Sequence, residues 1–281
     1  MNAKPNQTTA AETTCKNPLN FPAVDGMQQS FNRPAPTAFN RPLVILGPTT
    51  VGKTEVAFGL ARRLNATVIN ADKFYLYDAL PEVTGQSDAD QYPDVNSQLY
   101  GRLQPDEPLW TLNRYRAELR RCLVEAAERN QQVIVEGCSN ALVRVAVETL
   151  SAQATCEAEQ PLIIGLQWKH PAQLPQDCQQ RAGRMFTAGM PLSFDQACRD
   201  RMQETYLLRK CFAREPLMAL QRSSISRPAC QQRVAELLER HARRHHDRMS
   251  RIAKVCWLNH DRRQVGSTVE RIVSLLAQPT N

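Results

Sequence analysis

The eight residues Gly47-Pro48-Thr49-Thr50-Val51-Gly52-Lys53-Thr54 constrain this chain more than any other stretch. They fit the phosphate-loop pattern G-x-x-x-x-G-K-[ST]. The short, nearly all-apolar run LVILG (43–47) precedes them, as expected of a parallel strand covered on both faces. After them, Val56, Ala57, Leu60, Ala61 and Leu64 recur at helical spacing. Strand, glycine-rich turn and helix are the context in which this pattern cradles an anion. The glycines let backbone N–H groups curl around phosphate oxygens, and the helix N-terminus adds partial positive charge. Lys53 supplies a full charge, and the Thr54 hydroxyl suits a Mg²⁺ ligand.

The rest of the chain repeats strand and helix. ATVINAD (66–72), QVIVEG (132–137), PLIIGLQW (161–168) and AKVCWL (253–258) read as further strands. Helical patterns occupy Thr111 to Asn130 and about 172–188, 194–213, 229–251 and 266–277. This alternation predicts an α/β fold: a P-loop-type doubly wound parallel sheet of about five strands with a helix-rich C-terminal lobe at about 172–250. Residues 1–40 are polar, carry five prolines and show neither period, so they read as a disordered tail before a domain spanning 41–281.

Composition narrows the function classes. The tail has no apolar h-region and no run of 18 apolar residues occurs, so neither a secretory signal nor a membrane span is expected. The nine cysteines are scattered without a C-x-x-C pair, which fits a reducing compartment and a cytoplasmic protein rather than a zinc site or a disulfide framework. Charge is uneven. From Asp177 onward there are 19 Lys and Arg against 10 Asp and Glu, whereas residues 1–176 carry 16 against 18. A basic C-terminal half suits nucleotides, diphosphates or RNA, and equally a solvated helical face.

The loop alone implies a bound di- or triphosphate. A P-loop small-molecule kinase is one reading, with Asp72 at the end of the second strand taking a hydroxyl proton. Asp72 can equally be a cap on a short helix at KFYLYDAL. Among the histidines, His241 and His245 stand one helical turn apart without an acidic or cysteine partner at metal-site spacing, and read as solvated.

Several ordered features narrow the choice. The loop reads G-P-T-x-x-G-K-T. NADKFYLY (70–77) supplies Asp72, Lys73 and Tyr77, and Thr84 follows twelve residues after Asp72. VIVEGCSNAL presents Gly137, Cys138, Ser139 and Asn140 after the third strand. Arg181, Arg184 and Met185 lie on one predicted helix, and ARRHHDRMSRI (242–252) forms a basic late helix. Over about 41–258 this set resembles the isopentenyltransferase family, which moves a dimethylallyl group from its diphosphate to N6 of adenine. Four positions depart from the family pattern: Tyr75 for Gln, Gln86 for Lys, Cys138 for Gly and Asp177 for Arg.

The resemblance implies roles. Asp72 would be the base for the N6 amine, with Thr49 fixing donor or base. Arg181, Lys53 and Thr54 would neutralise the diphosphate leaving group with Mg²⁺. Gly47, Pro48, Thr50, Val51 and Gly52 would supply the loop backbone, and Ser139 a bond to a phosphate oxygen. For Arg181 a surface ion pair is the plainer alternative, and for Ser139 a helix N-cap. The family's tRNA-modifying enzymes carry a long insertion after the third strand, whereas only 23 residues separate Ser139 from Ile163 here. CSNAL also looks more like the adenylate type. The resemblance therefore implies dimethylallyl diphosphate and a free adenine nucleotide as substrates, in cytokinin biosynthesis. A tRNA acceptor is the less favoured alternative, although the basic helices suit RNA phosphates.

Overall fold

The computed structural model describes residues 41–85 and 92–278. The tail expected at 1–40 and the departure at Gln86 lie outside them. Six parallel strands form one sheet: β1 (Leu43–Leu46), β2 (Ala66–Asn70), β3 (Ser97–Gln98), β4 (Gln132–Gly137), β5 (Leu162–Trp168) and β6 (Val255–His260), in the order β3-β2-β4-β1-β5-β6. β1 is central and fully buried, pairing Leu43 with Ile134 on one side and with Leu162 on the other. Its all-apolar sequence is what a strand covered on both faces requires.

Helices cover both faces. α1 (Lys53–Leu64) and α10 (Val265–Leu276) pack Phe58, Leu60 and Ile272 onto one face. α3 (Leu112–Glu128) and α4 (Asn140–Gln153) pack Tyr115, Leu119 and Leu142 onto the other. The turn α2 (Pro81–Thr84) and helices α5 (Leu174–Thr187), α6 (Met190–Arg199), α7 (Tyr206–Arg209), α8 (Arg214–Gln221) and α9 (Arg227–Met249) build a third core around Cys178, Phe186, Phe194 and Leu238. This is the helix-rich lobe.

The expected five strands become six. β3 pairs only Ser97 and Gln98 with β2, too short a run to register as a strand pattern. The single helix expected at 194–213 is broken. α6 ends at Arg199, Arg201 takes a left-handed φ of 59°, and α7 starts only after Thr205 caps it. No helix forms at 73–80, where the chain makes turns instead. Among the described residues no helix is long and apolar enough to cross a membrane.

Candidate active site

The site lies at the C-terminal edge of the sheet, where an open α/β sheet presents its ligand groups. Gly47–Thr54 joins β1 to α1. Gly52 turns the loop into the helix with φ 96°, in the left-handed region that glycine alone enters freely. No side chain caps α1, which leaves its first N–H groups open to an anion. Lys53 is buried, and its Nζ donates to the Pro48 carbonyl at 2.9 Å, across the mouth of the loop. Val51 is wholly buried in the core and contributes backbone only. Thr49 is half-buried beside it, and Thr50 adopts φ 72°.

Asp72 stands just beyond β2. A Cβ on Gly137 would lie 2.3 Å from the Ala71 carbonyl, so only glycine lets the ends of β2 and β4 approach this closely. Ala71 N–H donates to the Glu136 carbonyl at 2.7 Å, and Asp72 N–H donates to Asn70 Oδ1 at 2.7 Å. Asn70 Nδ2 in turn donates to the Asp72 and Leu99 carbonyls. Asp72 Oδ1 accepts from Phe74 N–H at 3.0 Å in an Asx turn, and the alternative of a helix cap falls because no helix follows. Oδ2 accepts from the Cys138 thiol. Cys138, where the resemblance expects glycine, thus bonds the carboxylate directly. Burial and the Asp72 charge push that thiol well above its usual range, so it stays a protonated donor.

Ser139 is at the N-cap position of α4 but makes no side-chain cap. Its Oγ accepts from Lys73 N–H at 2.9 Å instead, fixing the Asp72 turn from the neighbouring strand end. Arg181 reaches the segment that follows α2. Its Nη2 donates to the Gly85 carbonyl at 2.7 Å, which also accepts from Tyr75 Oη at 3.0 Å. Tyr75 therefore does a positioning job shared with Arg181. Thr84 spends its hydroxyl on the Leu80 carbonyl. Asp177 stands in the first turn of α5, where a carboxylate suits the helix dipole.

Sequence reasoning assigns no role at the site to two neighbours of the loop, Glu136 and His260. Glu136 is buried at the end of β4. Its Oε1 accepts from Tyr100 Oη at 2.8 Å and from Thr54 Oγ1 at 3.4 Å, while Oε2 is buried without a partner among the described residues. Burial holds this carboxyl above its ordinary value, although Lys53 pulls it down. A threonine hydroxyl and a carboxylate with a spare oxygen are hard donors of the kind Mg²⁺ takes. They fit the expected ion. No cluster of three or more His, Cys, Asp or Glu side chains offers another metal site among the described residues. His260 packs its ring against Gly52, with Nδ1 held on the Thr268 hydroxyl at 2.7 Å. Arg262 bonds Glu55 of α1 at 2.8 Å. Burial works against the Glu55 charge, but Arg262 and, less, Arg181 hold its carboxyl below the ordinary value.

The histidines of α9 are also not solvated as expected. His241 and His245 meet edge to face at 5.9 Å, and both are half-buried.

A family model described as isopentenyl transferase matches residues 41–188, just over half of the 281-residue chain. The chain belongs to the isopentenyl transferase family. The matched segment holds every candidate site residue named from the sequence, from Gly47 to Arg181. The chain is similar to adenylate isopentenyltransferase 8, chloroplastic, of Arabidopsis thaliana, at 30% identity over 117 residues, 42% of this chain and 33% of that protein. It is also similar to a tRNA dimethylallyltransferase of Synechococcus sp. (strain CC9902), at 39% identity over 100 residues, 34% of this chain and 33% of that protein. The chain thus spans about a third of the length of these curated relatives. Among solved structures, a full-length tRNA isopentenylpyrophosphate transferase from Bacillus halodurans superposes with a TM-score of 0.71 at 15% identity, over 84% of this chain and 97% of that one. A eukaryotic dimethylallyltransferase acting on tRNA gives 0.62 at 13% identity, over 83% of this chain and 77% of that one. At such identities these structures establish the fold of this family member.

Proposed function

We propose that this chain transfers a dimethylallyl group from its diphosphate to N6 of an adenine. The observation that carries the reading is the Asp72 carboxylate, buried at the strand end beside the phosphate loop, with one oxygen accepting from Phe74 N–H and the other from the Cys138 thiol. A loop for anions and a fixed base on adjacent strand ends suit the attack of an amine on a carbon that bears a diphosphate leaving group.

In the step, the N6 nitrogen forms a bond to C1 of the prenyl chain as the C1–O bond to diphosphate breaks. The proton lost from N6 goes to Asp72, which can hold that N–H from the ground state onward. Lys53 and the open amides of α1 take the charge that grows on the leaving oxygen. Lys53 would exchange its Pro48 carbonyl for a phosphate oxygen. Thr54 and Glu136 would hold Mg²⁺, which when bound supplies charge neutralisation to the diphosphate. Arg181, tied to Gly85, would act on the leaving group only after that bond is exchanged.

For the acceptor we favour a free adenine nucleotide, as in cytokinin synthesis. The reading is supported by the short path from β4 to β5. α4 fills most of it, and only residues 154–161, with one turn of tight helix, separate α4 from β5. This leaves little room for a clamp on a tRNA arm. One observation favours tRNA: Arg240, Arg243, Arg244 and Arg248 of α9 are all exposed. The test is to supply dimethylallyl diphosphate with AMP, ADP, ATP or unmodified tRNA and analyse the adenines by mass. Adduct on the nucleotide, with no competition from micromolar tRNA, supports our choice. Adduct on tRNA alone moves the acceptor to the second reading, and transfer of a γ-phosphate removes the prenyl reading altogether.

A further inference from the structure

The late helix packs one face against α4, the helix that follows Cys138 and Ser139. Met249 is fully buried in the core under α4, and Ile252 packs against the same cluster. His245 stands one helical turn before Met249 and shares its face. Asn140, the first residue of α4, donates to the Arg248 carbonyl at 3.1 Å. That bond ties this turn of α9 to the segment directly after Cys138 and Ser139, the two residues that hold the Asp72 turn. His245 Nδ1 is sealed from solvent and has no hydrogen-bond partner among the described residues, although the residue as a whole is only half-buried. An orphaned buried nitrogen is costly in the free protein and rational where a ligand completes it.

The chemistry of the site selects the ligand atom. Burial holds the His245 imidazole well below its usual range, against the pull of the Asp72 charge, and Lys53 acts in the same direction as burial. The ring is therefore neutral near pH 7, and with its proton on Nε2 it offers Nδ1 as an acceptor. Diphosphate oxygens are acceptors and cannot pair with it. The adenine amine has two N–H donors, of which Asp72 takes one.

We propose that His245 is a positioning residue for the acceptor: its Nδ1 takes the second N–H of the adenine amine while Asp72 takes the first. This rests on the prenyl-transfer reading above. The proton on the Asp72 side is the one lost when the N6–C1 bond forms. The proton on the His245 side stays on N6 in the product. Two acceptors on one amine fix its plane and its lone pair. They also reject a purine with a carbonyl at C6, which would bring an acceptor against two acceptors.

The test is calorimetric binding of AMP and IMP to the full chain, with turnover measured on the same preparations. The wild-type chain is expected to prefer AMP by about tenfold or more, the scale of one hydrogen bond gained and one acceptor clash avoided. His245→Leu should lower the AMP to IMP ratio severalfold, Asp72 alone keeping a residual preference, and raise the acceptor KM while leaving the donor KM unchanged. His245→Gln, which keeps an acceptor oxygen, should retain most of the preference. His245→Phe keeps the ring volume and replaces His245→Leu if that variant does not fold. A wild-type ratio near one, or a ratio unchanged in the apolar variants of an active enzyme, overturns this proposal alone. Absence of any prenylated adenine from the wild-type chain overturns the prenyl-transfer reading and this proposal with it.

Discussion

At the scale of single residues, the proposed chemistry rests on how Asp72 is held. One carboxylate oxygen is spent on the Phe74 amide and the other on a thiol that burial keeps protonated. A base restrained on both oxygens has little freedom to leave the amine. Asp72→Asn is expected to bind dimethylallyl diphosphate as before and to lose about 10²- to 10⁴-fold in turnover, the range of a positioned general base. Equal losses in donor binding and turnover would place Asp72 in the phosphate site instead. Tyr75 gives a second prediction. Its hydroxyl and Arg181 share the Gly85 carbonyl, so Tyr75→Phe should leave Arg181 as the sole donor there. The effect expected is on Arg181 placement: a rise in donor KM of a few-fold, read by initial rates, with the fold intact. What the sequence made legible at this scale was local. Lys53, Thr54 and Asp72 follow from a contiguous motif and a strand end. Glu136 was visible only as a polar residue ending a strand, because its pairing with Thr54 and Tyr100 crosses 82 and 36 residues. His245 was hidden for a similar reason: on a helix this rich in arginine, burial of one imidazole is a fact of tertiary packing.

At the scale of elements, two close approaches shape the site. The ends of β2 and β4 meet at Gly137, and the end of β6 meets the phosphate loop at Gly52. Gly137→Ala forces a methyl group against the Ala71 carbonyl, which belongs to backbone and cannot swing away. The expected cost is about 1–3 kcal/mol of stability, the usual penalty of overpacking, seen as a lower denaturation midpoint. Because the strain falls on the strand end that carries Asp72, turnover should fall further than stability alone explains. A Gly137→Ala chain with wild-type stability and rate would refute this account of the β2–β4 contact. The central strands were legible because parallel strands buried on both faces are unbroken apolar runs. β3 was not, since two residues at a sheet edge leave no period. The break between α6 and α7 was missed because Arg201 adopts a left-handed φ that its residue type does not advertise.

At the scale of the whole molecule, pH enters through the buried histidines. Burial, with Arg244 and Lys73 adding to it, holds His241 down to about 4 from an ordinary value of 6.5. Between those two values the unfolded chain binds a proton that the folded chain does not. Stability attributable to His241 is therefore present above about pH 6.5 and is lost as pH falls through the window toward 4. Thermal denaturation between pH 7 and 5 should show a falling midpoint, and His241→Phe should flatten that slope. An identical slope in the variant would assign the effect to other groups. The uneven charge also acts globally. The exposed arginines of α9 should make any RNA binding steeply salt-dependent, whereas binding of AMP should respond far less.

In the proposed reaction carbon, not phosphorus, moves. The most direct measurement is the stoichiometry of products from dimethylallyl diphosphate and an adenine acceptor. The expected result is one diphosphate released for each adenine that gains a dimethylallyl group at N6, with no orthophosphate and no phosphorylated product. Phosphate transferred to an acceptor, or diphosphate released without an N6 adduct, would contradict it.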